Sequence, residues 1–362
     1  MRTLTITLHD TDNAGSSLQA FALNHFLLNN EIDNKLINYT PKYTYTNGNS
    51  LKSFIKTLIF WRYKRENRKK FVYFRERYIK MTNIRYKTLD KLMSEIPTAD
   101  VYITGSDQLW NNMYPCGNDP AFYLSFVKNS NSKKIAYAIS TGRSEIPVDN
   151  LEFINKYCKD YNWISVREKD IIEQFEKVLN REDIIHVSDP VLLNSADTYI
   201  NMIEERIVSE AYILVYIAQN VDKKILNSLI DKIKEELPDR KVVFIGAYGN
   251  KCNCDLHIKE FGPLDFLSLI YYSDYIISNS FHATVFSILF KKQFITFIPE
   301  NNGSRIKGIL KITHLENRGI YNIGEISKIF VSDSEIEEAS CLAIKFGTES
   351  GKVLINAIRG LE

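Results

Sequence analysis

The chain has 362 residues, of which 44% are hydrophobic and 25% are charged, and its formal net charge at pH 7 is +2. This length predicts two domains, each large enough for a core of its own, and the composition is typical of a globular protein. The near balance of charge argues against a nucleic-acid-binding protein. No apolar run approaches the roughly 20 residues that a membrane-spanning helix requires.

The cysteines and the first residues predict the cellular compartment. Met1-Arg2 leads directly into a predicted strand, so we expect no signal peptide. The cysteines are odd in number and scattered, which fits a reducing cytosol better than a disulfide framework. We therefore expect a cytoplasmic protein. The cysteines are Cys116, Cys158, Cys252, Cys254 and Cys341.

Strand and helix patterns alternate through the first half of the chain, which predicts a parallel sheet covered by helices. A helix is predicted over 15–28, and a polar helical stretch over 195–210 is interpreted as the connection between domains. The predicted strands of this half are 3–8, 35–39, 100–104, 134–139, 163–166 and 184–187.

A second alternating unit follows, and its last segment is a helical tail over 334–358 that could pack on either domain. The pattern predicts an α/β fold with two Rossmann-like domains, residues 1–200 and 201–362, and a cleft between them. The predicted strands of this half are 212–218, 241–245, 274–278 and 293–298, and the predicted helices are 222–237, 264–272, 283–290 and 304–313.

Residues 51–80 interrupt the alternation, because they are dense in Lys and Arg with interleaved aromatic and aliphatic side chains. One interpretation is a basic helical hairpin that rests on an anionic membrane, which would make the protein peripheral at the inner face of that membrane. The other is an insertion whose apolar face packs on its own domain while its charges are solvated. Both remain open at the level of sequence.

The segment 274–299 carries the clearest functional signal, because it reads as a strand, a polar corner, a helix and a second strand. His282 stands in the corner, at the carboxyl end of the strand and at the start of the helix. Ligands of open α/β sheets bind at this edge, and the N–H groups of a helix N-terminus favour an anion. Imidazole can exchange a proton near neutral pH.

Seven patches in a fixed order, which together span nearly the whole chain, resemble the polysaccharide pyruvyl transferase family. They are NAGSSLQAFAL (13–23), ITGSDQLWN (103–111), YAISTG (137–142), ISVREKD (164–170), VSDPVLL (187–193), SNSFHATVFSI (278–288) and SRIKGIL (304–310).

The resemblance implies a fold similar to GT-B glycosyltransferases. It also implies transfer of pyruvate from phosphoenolpyruvate to a sugar as a ketal, in the synthesis of surface polysaccharides such as exopolysaccharide or capsule. The family's proton-transfer histidine matches His282. Members often have a Ser-Arg-x-His pattern there, whereas this chain has Ser280-Phe281 and lacks that arginine. The anion must then be bound by other groups.

The donor phosphoenolpyruvate is expected against the C-terminal half. His282 would be the acid or base, and Arg167, at the end of a strand in the other half, would reach across the cleft as the second catalytic residue. The alternative for Arg167 is a salt bridge with Glu168 or Asp170. The expected donor-binding residues are Asn279, Ser280, Arg305 and Lys307, of which Arg305 and Lys307 open a helix that Ser304 would cap.

The sugar acceptor, with a polyprenyl-linked precursor as one form of it, is expected against the N-terminal half. Polar and small residues follow two predicted strands there, and Trp110 would stack on a sugar face. The alternative is a capping turn with Trp110 in the core. The expected acceptor-binding residues are Asn13, Gly15, Gln19, Gly105, Asp107, Gln108 and Trp110.

No metal site and no cofactor besides the donor substrate are expected. The spacing of Cys252, Cys254 and His257 is poor for zinc, and the Gly-x-Gly-x-x-Gly pattern of dinucleotide-binding proteins is not found. Two other functions stay open. One is a glycosyltransferase that uses a nucleotide sugar, and the other is a non-catalytic carbohydrate-binding protein with the same fold.

Overall fold

The structure is a computed structural model and describes residues 1–45, 61–129, 131–246, 252–300, 302–326 and 328–360. The chain forms two compact units. The first consists of residues 1–194 and 346–362, and the second consists of residues 195–345.

The first unit contains a six-stranded sheet whose strands pair in parallel in the order β2-β1-β3-β4-β5-β6. Parallel strands place all their carboxyl ends at one edge, and the polar residues discussed below follow those ends. The strands are β1 (Arg2–Ile6), β2 (Asp33–Leu36), β3 (Val101–Thr104), β4 (Lys133–Ile139), β5 (Trp163–Val166) and β6 (Ile185–His186).

Helices cover this sheet, and the first of them begins where the sequence predicts. The Asn13 side chain accepts a hydrogen bond from the Ser16 amide at 3.1 Å and so caps the helix. The helices are α1 (Ala14–Asn29), α2 (Trp61–Tyr78), α3 (Leu89–Glu95), α4 (Val148–Cys158) and α5 (Ile172–Leu179). Short 3-10 helices are Lys42–Tyr45, Pro115–Asn118, Pro120–Tyr123, Lys169–Ile171 and Pro190–Leu193.

Helix α2 is the described part of the basic insertion, and it packs on the first unit. Phe71 and Phe74 are buried, and the Phe74 ring lies 6.0 Å from the ring of Phe21 in α1. This packing agrees with the second interpretation of the insertion for residues 65–78. Residues 51–60 lie outside the described residues, and membrane contact stays a prediction.

The second unit contains another parallel six-stranded sheet, in the order β12-β11-β10-β7-β8-β9. Two of these strands are very short and were not predicted. The strands are β7 (Tyr212–Tyr216), β8 (Lys241–Ile245), β9 (Leu256–Ile258), β10 (Tyr275–Ser278), β11 (Gln293–Phe297) and β12 (Gly319–Ile320).

The helices of the second unit are α6 (Ala196–Ile200), α7 (Lys223–Glu236), α8 (Pro263–Tyr271), α9 (Phe281–Leu289) and α10 (Ser304–Ile312), with 3-10 helices Glu316–Arg318 and Ile323–Glu325. The predicted helix 195–210 was too long, because α6 ends at Ile200. The β-branched residues Ile203, Ile207 and Val208 make the rest of that stretch a poor helix former.

The last helix, α11 (Asp333–Arg359), begins in the second unit and ends in the first. Its final turns pack closely on the first unit, because a Cβ atom at Gly347 would lie 1.9 Å from the Leu192 carbonyl oxygen. The Ser350 hydroxyl also accepts a hydrogen bond from the Ser188 amide at 2.9 Å. The first unit is continuous up to residue 194, whereas the sequence predicted a boundary at residue 200. Residues 346–362 group with the first unit, whereas the sequence predicted that they belong to the second.

None of the helices in the described ranges is long and apolar enough to cross a membrane.

Candidate functional site

His282 lies at the corner that the sequence indicates. Strand β10 ends at Ser278, Ser280 is the N-cap of α9, and His282 is the second residue of that helix. The Ser280 hydroxyl accepts a hydrogen bond from the Ala283 amide at 3.4 Å, so this side chain is partly used for capping. His282 is buried, with 7% of its accessible surface retained, and its Nε2 atom is buried as well.

Asn279, the residue between the strand and the cap, holds the neighbouring loop in place. Its side-chain oxygen accepts hydrogen bonds from the amides of Ala218 (2.8 Å) and Gln219 (3.2 Å), and its amide nitrogen donates to the Gln219 carbonyl (2.9 Å). These bonds join the ends of β10 and β7, which are adjacent in the sheet. The side chain of Asn279 therefore fixes the loop beside His282 rather than facing a ligand.

A guanidinium lies beside the histidine corner although the sequence lacks the family's arginine there. Arg305, the second residue of α10, is buried, and its Cζ lies 5.4 Å from the centroid of the Phe281 ring. That ring in turn meets the His282 ring edge to face at 5.2 Å. A cation at this distance is attracted to the aromatic face, so Phe281 positions Arg305 next to the first turn of α9.

The starts of two helices thus supply the polar groups of this corner. Gly303, not the predicted Ser304, is the N-cap of α10, and Ser304 is its first residue. The Ser304 hydroxyl is buried and has no hydrogen-bond partner among the described residues. Lys307 lies on the surface with its Nζ 5.2 Å from the Tyr321 ring. The corner can therefore offer an anion Arg305, the Ser304 hydroxyl and N–H groups.

In the first unit, the carboxyl edge of the sheet carries a buried ionic cluster around Arg167. The Arg167 Nη1 atom lies 2.5 Å from an Asp189 carboxylate oxygen, and its other nitrogens lie 3.8 Å from Asp107 and 3.9 Å from Glu168. The Ser140 hydroxyl donates to Glu168 at 2.6 Å. These residues follow β3, β4, β5 and β6, four neighbouring strands of one parallel sheet.

The carboxylates of the cluster keep the Arg167 guanidinium in its charged form. Burial by itself disfavours the charged guanidinium, but the carboxylates of Asp189, Glu168 and Asp107 outweigh it and raise the pKa of Arg167. The side chain is 2% exposed and directed to Asp189. The salt-bridge alternative to a catalytic role is thus realised, mainly with Asp189 rather than with Glu168 or Asp170.

Asp107 and Gly105 form an unusual turn after β3. The Asp107 φ angle is 80°, a conformation that aspartate tolerates when its side chain bonds locally, and its carboxylate accepts from the Gln108 amide at 2.8 Å. The Ser16 hydroxyl of α1 donates to the same carboxylate at 2.6 Å. Gly105, at φ 120°, cannot be replaced without strain, since a Cβ there would lie 2.0 Å from the Tyr137 carbonyl oxygen.

The other predicted acceptor residues have structural contacts in the first unit, and their roles toward an acceptor stay predictions. Gln19 is fully buried and donates to the Thr7 hydroxyl at 3.0 Å, and Gly15 is buried within α1. Asn13 is exposed and caps that helix. Gln108 is partly exposed and accepts from the Asn111 amide group at 2.7 Å.

Trp110 lies in the core, as in the capping-turn alternative. Its ring stacks between Tyr123 at 5.0 Å and Phe175 at 5.8 Å, and its indole nitrogen donates to the Phe122 carbonyl at 3.0 Å. The side chain is fully buried and does not offer a face to a sugar.

The sequence did not predict that Ser16 is a partner of Asp107 or that Asp189 is a partner of Arg167. The Asp189 carboxylate does cap a turn, because it accepts from the Val191 amide at 3.0 Å, but it is also the main partner of Arg167. The sequence did contain a signal for this cluster, because polar residues that follow parallel strands must meet at one edge of the sheet.

No group of three or more metal-ligating residues is found in the described ranges. Burial raises the pKa of the Cys252 thiol to about 12 and also raises the pKa of Cys254, so neither thiol is poised to ionise at neutral pH.

A family model described as polysaccharide pyruvyl transferase matches residues 13–301 of the chain. The chain belongs to this family. The matched region includes His282 and Arg167, while Arg305 and Lys307 lie just beyond it. The match supports a transferase of polysaccharide biosynthesis. No curated protein matches the chain.

Solved structures of low sequence identity share the fold of this pyruvyl transferase family member. The MnaA–UDP co-structure from S. aureus has a TM-score of 0.58 and 11% identity, and covers 99% of this chain and 96% of that one. UDP-N-acetylglucosamine 2-epimerase from Rickettsia bellii has a TM-score of 0.57, 10% identity and the same coverage. The Neisseria meningitidis UDP-GlcNAc 2-epimerase bound to UDP-GlcNAc has a TM-score of 0.53 and 12% identity, with 99% and 100% covered. The expected α/β, GT-B-like fold with two Rossmann-like units is confirmed.

Proposed function

We propose that this family member transfers pyruvate from phosphoenolpyruvate to a sugar of a surface polysaccharide or of its lipid-linked precursor, as a ketal across two hydroxyls. The observation that carries the proposal is the corner of the second unit. It combines a histidine in the first turn of α9 with the guanidinium of Arg305, 5.4 Å from the Phe281 ring.

Phosphoenolpyruvate carries a carboxylate and a phosphate, and the corner offers groups suited to such an anion. Arg305 is a permanent cation, and the N-termini of α9 and α10 favour negative charge. The buried Ser304 hydroxyl, which has no partner among the described residues, would gain an acceptor from the ligand. Leaving such a group unsatisfied costs about 1–3 kcal/mol, so ligand binding would recover part of that cost.

The reaction requires one proton transfer to carbon and the departure of phosphate. The first acceptor hydroxyl oxygen bonds to C2 of phosphoenolpyruvate, while C3 takes up a proton and becomes a methyl group. The second hydroxyl oxygen then bonds to C2, and the bond from C2 to the phosphate oxygen breaks. One hydroxyl proton replaces the proton given to C3, and the other leaves with phosphate. His282 is the group that we assign to the proton transfer.

The acceptor is assigned to the first unit, where Asp107 and Gln108 follow β3 at the carboxyl edge of the sheet. Gln108 is partly exposed and carries an amide suited to sugar hydroxyls. Arg167 is assigned a positioning role, because its contact with Asp189 and its charge hold the strand ends together beneath this edge. We assign the protein to the cytoplasm, where phosphoenolpyruvate would be its donor and where no further cofactor is needed.

The donor assignment is tested by titration with phosphoenolpyruvate, followed by the shift in melting temperature or by calorimetry. We expect Arg305→Met to weaken phosphoenolpyruvate binding about 10-fold or more, because charge-assisted hydrogen bonds contribute about 1.5–3 kcal/mol. Lys311→Met is the matched control, since Lys311 is exposed in the last turn of the same helix, and its variant should bind within about twofold of the unmodified protein.

The same titration separates this proposal from a nucleotide-sugar transferase. The structural neighbours include proteins described with UDP and UDP-GlcNAc, but at 10–12% identity they show the fold alone. Binding of UDP-GlcNAc without binding of phosphoenolpyruvate would favour the nucleotide-sugar function. Binding of neither donor would favour a non-catalytic carbohydrate-binding protein.

A further inference from the structure

Three arginines converge on Asp10 in the first unit, and none of these residues belongs to the Arg167 cluster. Asp10 follows the end of β1, and three guanidiniums contact its carboxylate. Arg75 lies 2.6 Å from Oδ1, Arg68 contacts the same oxygen, and Arg85 lies 3.0 Å from Oδ2. These residues line a pocket of about 280 Å³ together with Asn38, Val72, Glu76 and Met81.

The pocket is built from separate elements that the fold brings together. Arg68 and Arg75 are seven residues apart on α2, and a spacing of two helical turns places them on one face. Arg85 comes from the loop after α2, and its Nε atom donates to the Thr40 hydroxyl at 2.7 Å. Asp10 and Asn38 follow β1 and β2, so the pocket opens at the carboxyl edge of the sheet, the edge at which α/β proteins bind ligands.

Asp10 does not occupy every hydrogen-bond donor of Arg75. Its side chain is 8% exposed, it uses Nη2 toward Asp10, and its Nη1 is buried with no hydrogen-bond partner among the described residues. The acidic groups nearby differ in burial. Asp10 is buried, whereas Asp12, 3.2 Å from Arg68, and Glu76 are exposed and screened by water. Among the described residues, three guanidiniums thus contact the buried carboxylate of Asp10, and Arg68 also pairs with Asp12.

We propose that Arg68, Arg75 and Arg85 bind the phosphate or diphosphate group that links the acceptor sugar to its carrier. Guanidinium groups are suited to phosphate oxygens, because their planar donors form paired hydrogen bonds. A pocket of about 280 Å³ is at the lower limit for a complete small-molecule ligand and suits an anionic group better than a whole glycoside. The inference rests on the proposed function, since it assigns the first unit to a phosphate-linked acceptor.

The alternative role of the cluster is purely structural, namely to hold α2 on β1 by ion pairs. The two roles predict different effects of Asp10→Asn on anion affinity and on stability. If the arginines bind an anion, removal of the competing carboxylate strengthens binding of that anion. If they only hold the helix, the substitution lowers stability and creates no affinity.

The experiment is calorimetric titration at constant ionic strength with geranyl diphosphate, geraniol, inorganic pyrophosphate and inorganic phosphate. We expect geranyl diphosphate to bind and geraniol not to bind. Arg85→Gln should weaken the binding of geranyl diphosphate about 10-fold to 100-fold. Arg85 suits this test because its side chain is 49% exposed, so the variant is expected to fold. Lys87→Gln is the matched control, two residues away and exposed, and should leave the affinity within about twofold.

Three results would overturn the proposal. The first is that the unmodified protein does not bind geranyl diphosphate, and the second is that Arg85→Gln binds it as well as Lys87→Gln does. The third is that inorganic phosphate binds as tightly as geranyl diphosphate, because the pocket would then hold released phosphate rather than the acceptor. Titration with phosphoenolpyruvate in the same variants keeps this outcome separate from the donor site, since Arg85→Gln should not change that affinity.

Discussion

His282, the residue proposed for the proton transfer, lies in the first turn of α9 and retains 7% of its accessible surface. Its ring lies 5.2 Å from the ring of Phe281. Phe281 is central to this arrangement, because its ring lies 5.2 Å from the His282 ring and 5.4 Å from the Cζ atom of Arg305. A chain without the family's arginine in the corner thus places a guanidinium there from the following helix.

At the scale of this residue, we expect His282→Ala to lower kcat by about 10²–10⁴-fold, because that is the usual contribution of a general acid or base. Steady-state phosphate release from phosphoenolpyruvate measures the effect. The control is His314→Ala, since His314 is exposed in the same unit and pairs with Glu338 at the surface. A folded His282→Ala protein with less than a threefold change would exclude His282 from the proton transfer.

At the scale of elements, the strand ends determine which residues meet. The sequence was sufficient to predict the parallel sheets, the corner that holds His282 and the position of Arg167 after β5, because apolar runs and polar breaks mark strands and their ends. It was not sufficient to predict the partners. Asp189 lies 22 residues from Arg167 in the chain, and only the order of the strands makes them neighbours.

The same limit applies to two residues whose hydrogen-bond partners were not predicted. Asn279 and Gln19 were expected to face ligands because they are polar and stand near strand ends, yet their amides satisfy buried backbone and hydroxyl groups. The basic insertion shows the converse case. Its charges were visible in the sequence, but the buried carboxylate of Asp10, 58 residues before Arg68, could not be recognised as their partner.

Trp110 gives a prediction at this scale, because replacing it distinguishes a residue that packs in the core from one that stacks on a sugar. We expect Trp110→Ala to lower the free energy of unfolding of the first unit by about 3–5 kcal/mol, since it leaves a cavity between Tyr123 and Phe175. Denaturant unfolding followed by circular dichroism measures the change.

The control for this change is Tyr114→Ala, which removes an exposed aromatic ring near Trp110 and should cost no more than about 0.5 kcal/mol. A Trp110→Ala protein with unchanged stability but weaker glycoside binding would contradict the core assignment and restore the stacking role.

At the scale of the whole molecule, two Rossmann-like units carry different kinds of polar group at the carboxyl edges of their sheets. The second unit has the histidine corner with Arg305 near the Phe281 ring, and the first has buried carboxylates with Arg167 and a pocket lined by three arginines. This division agrees with the proposal of a transferase that uses a small anionic donor and a sugar acceptor. The family match over residues 13–301 covers parts of both units.

The most direct test is to incubate the purified protein with phosphoenolpyruvate and a panel of lipid-linked and synthetic glycosides, and to follow phosphate and product mass together. We predict that phosphate is released only when a suitable acceptor is present, in a one-to-one ratio with a product that carries one added pyruvyl group. Phosphate release without a pyruvylated product, or transfer of a sugar from a nucleotide donor with no use of phosphoenolpyruvate, would contradict the account.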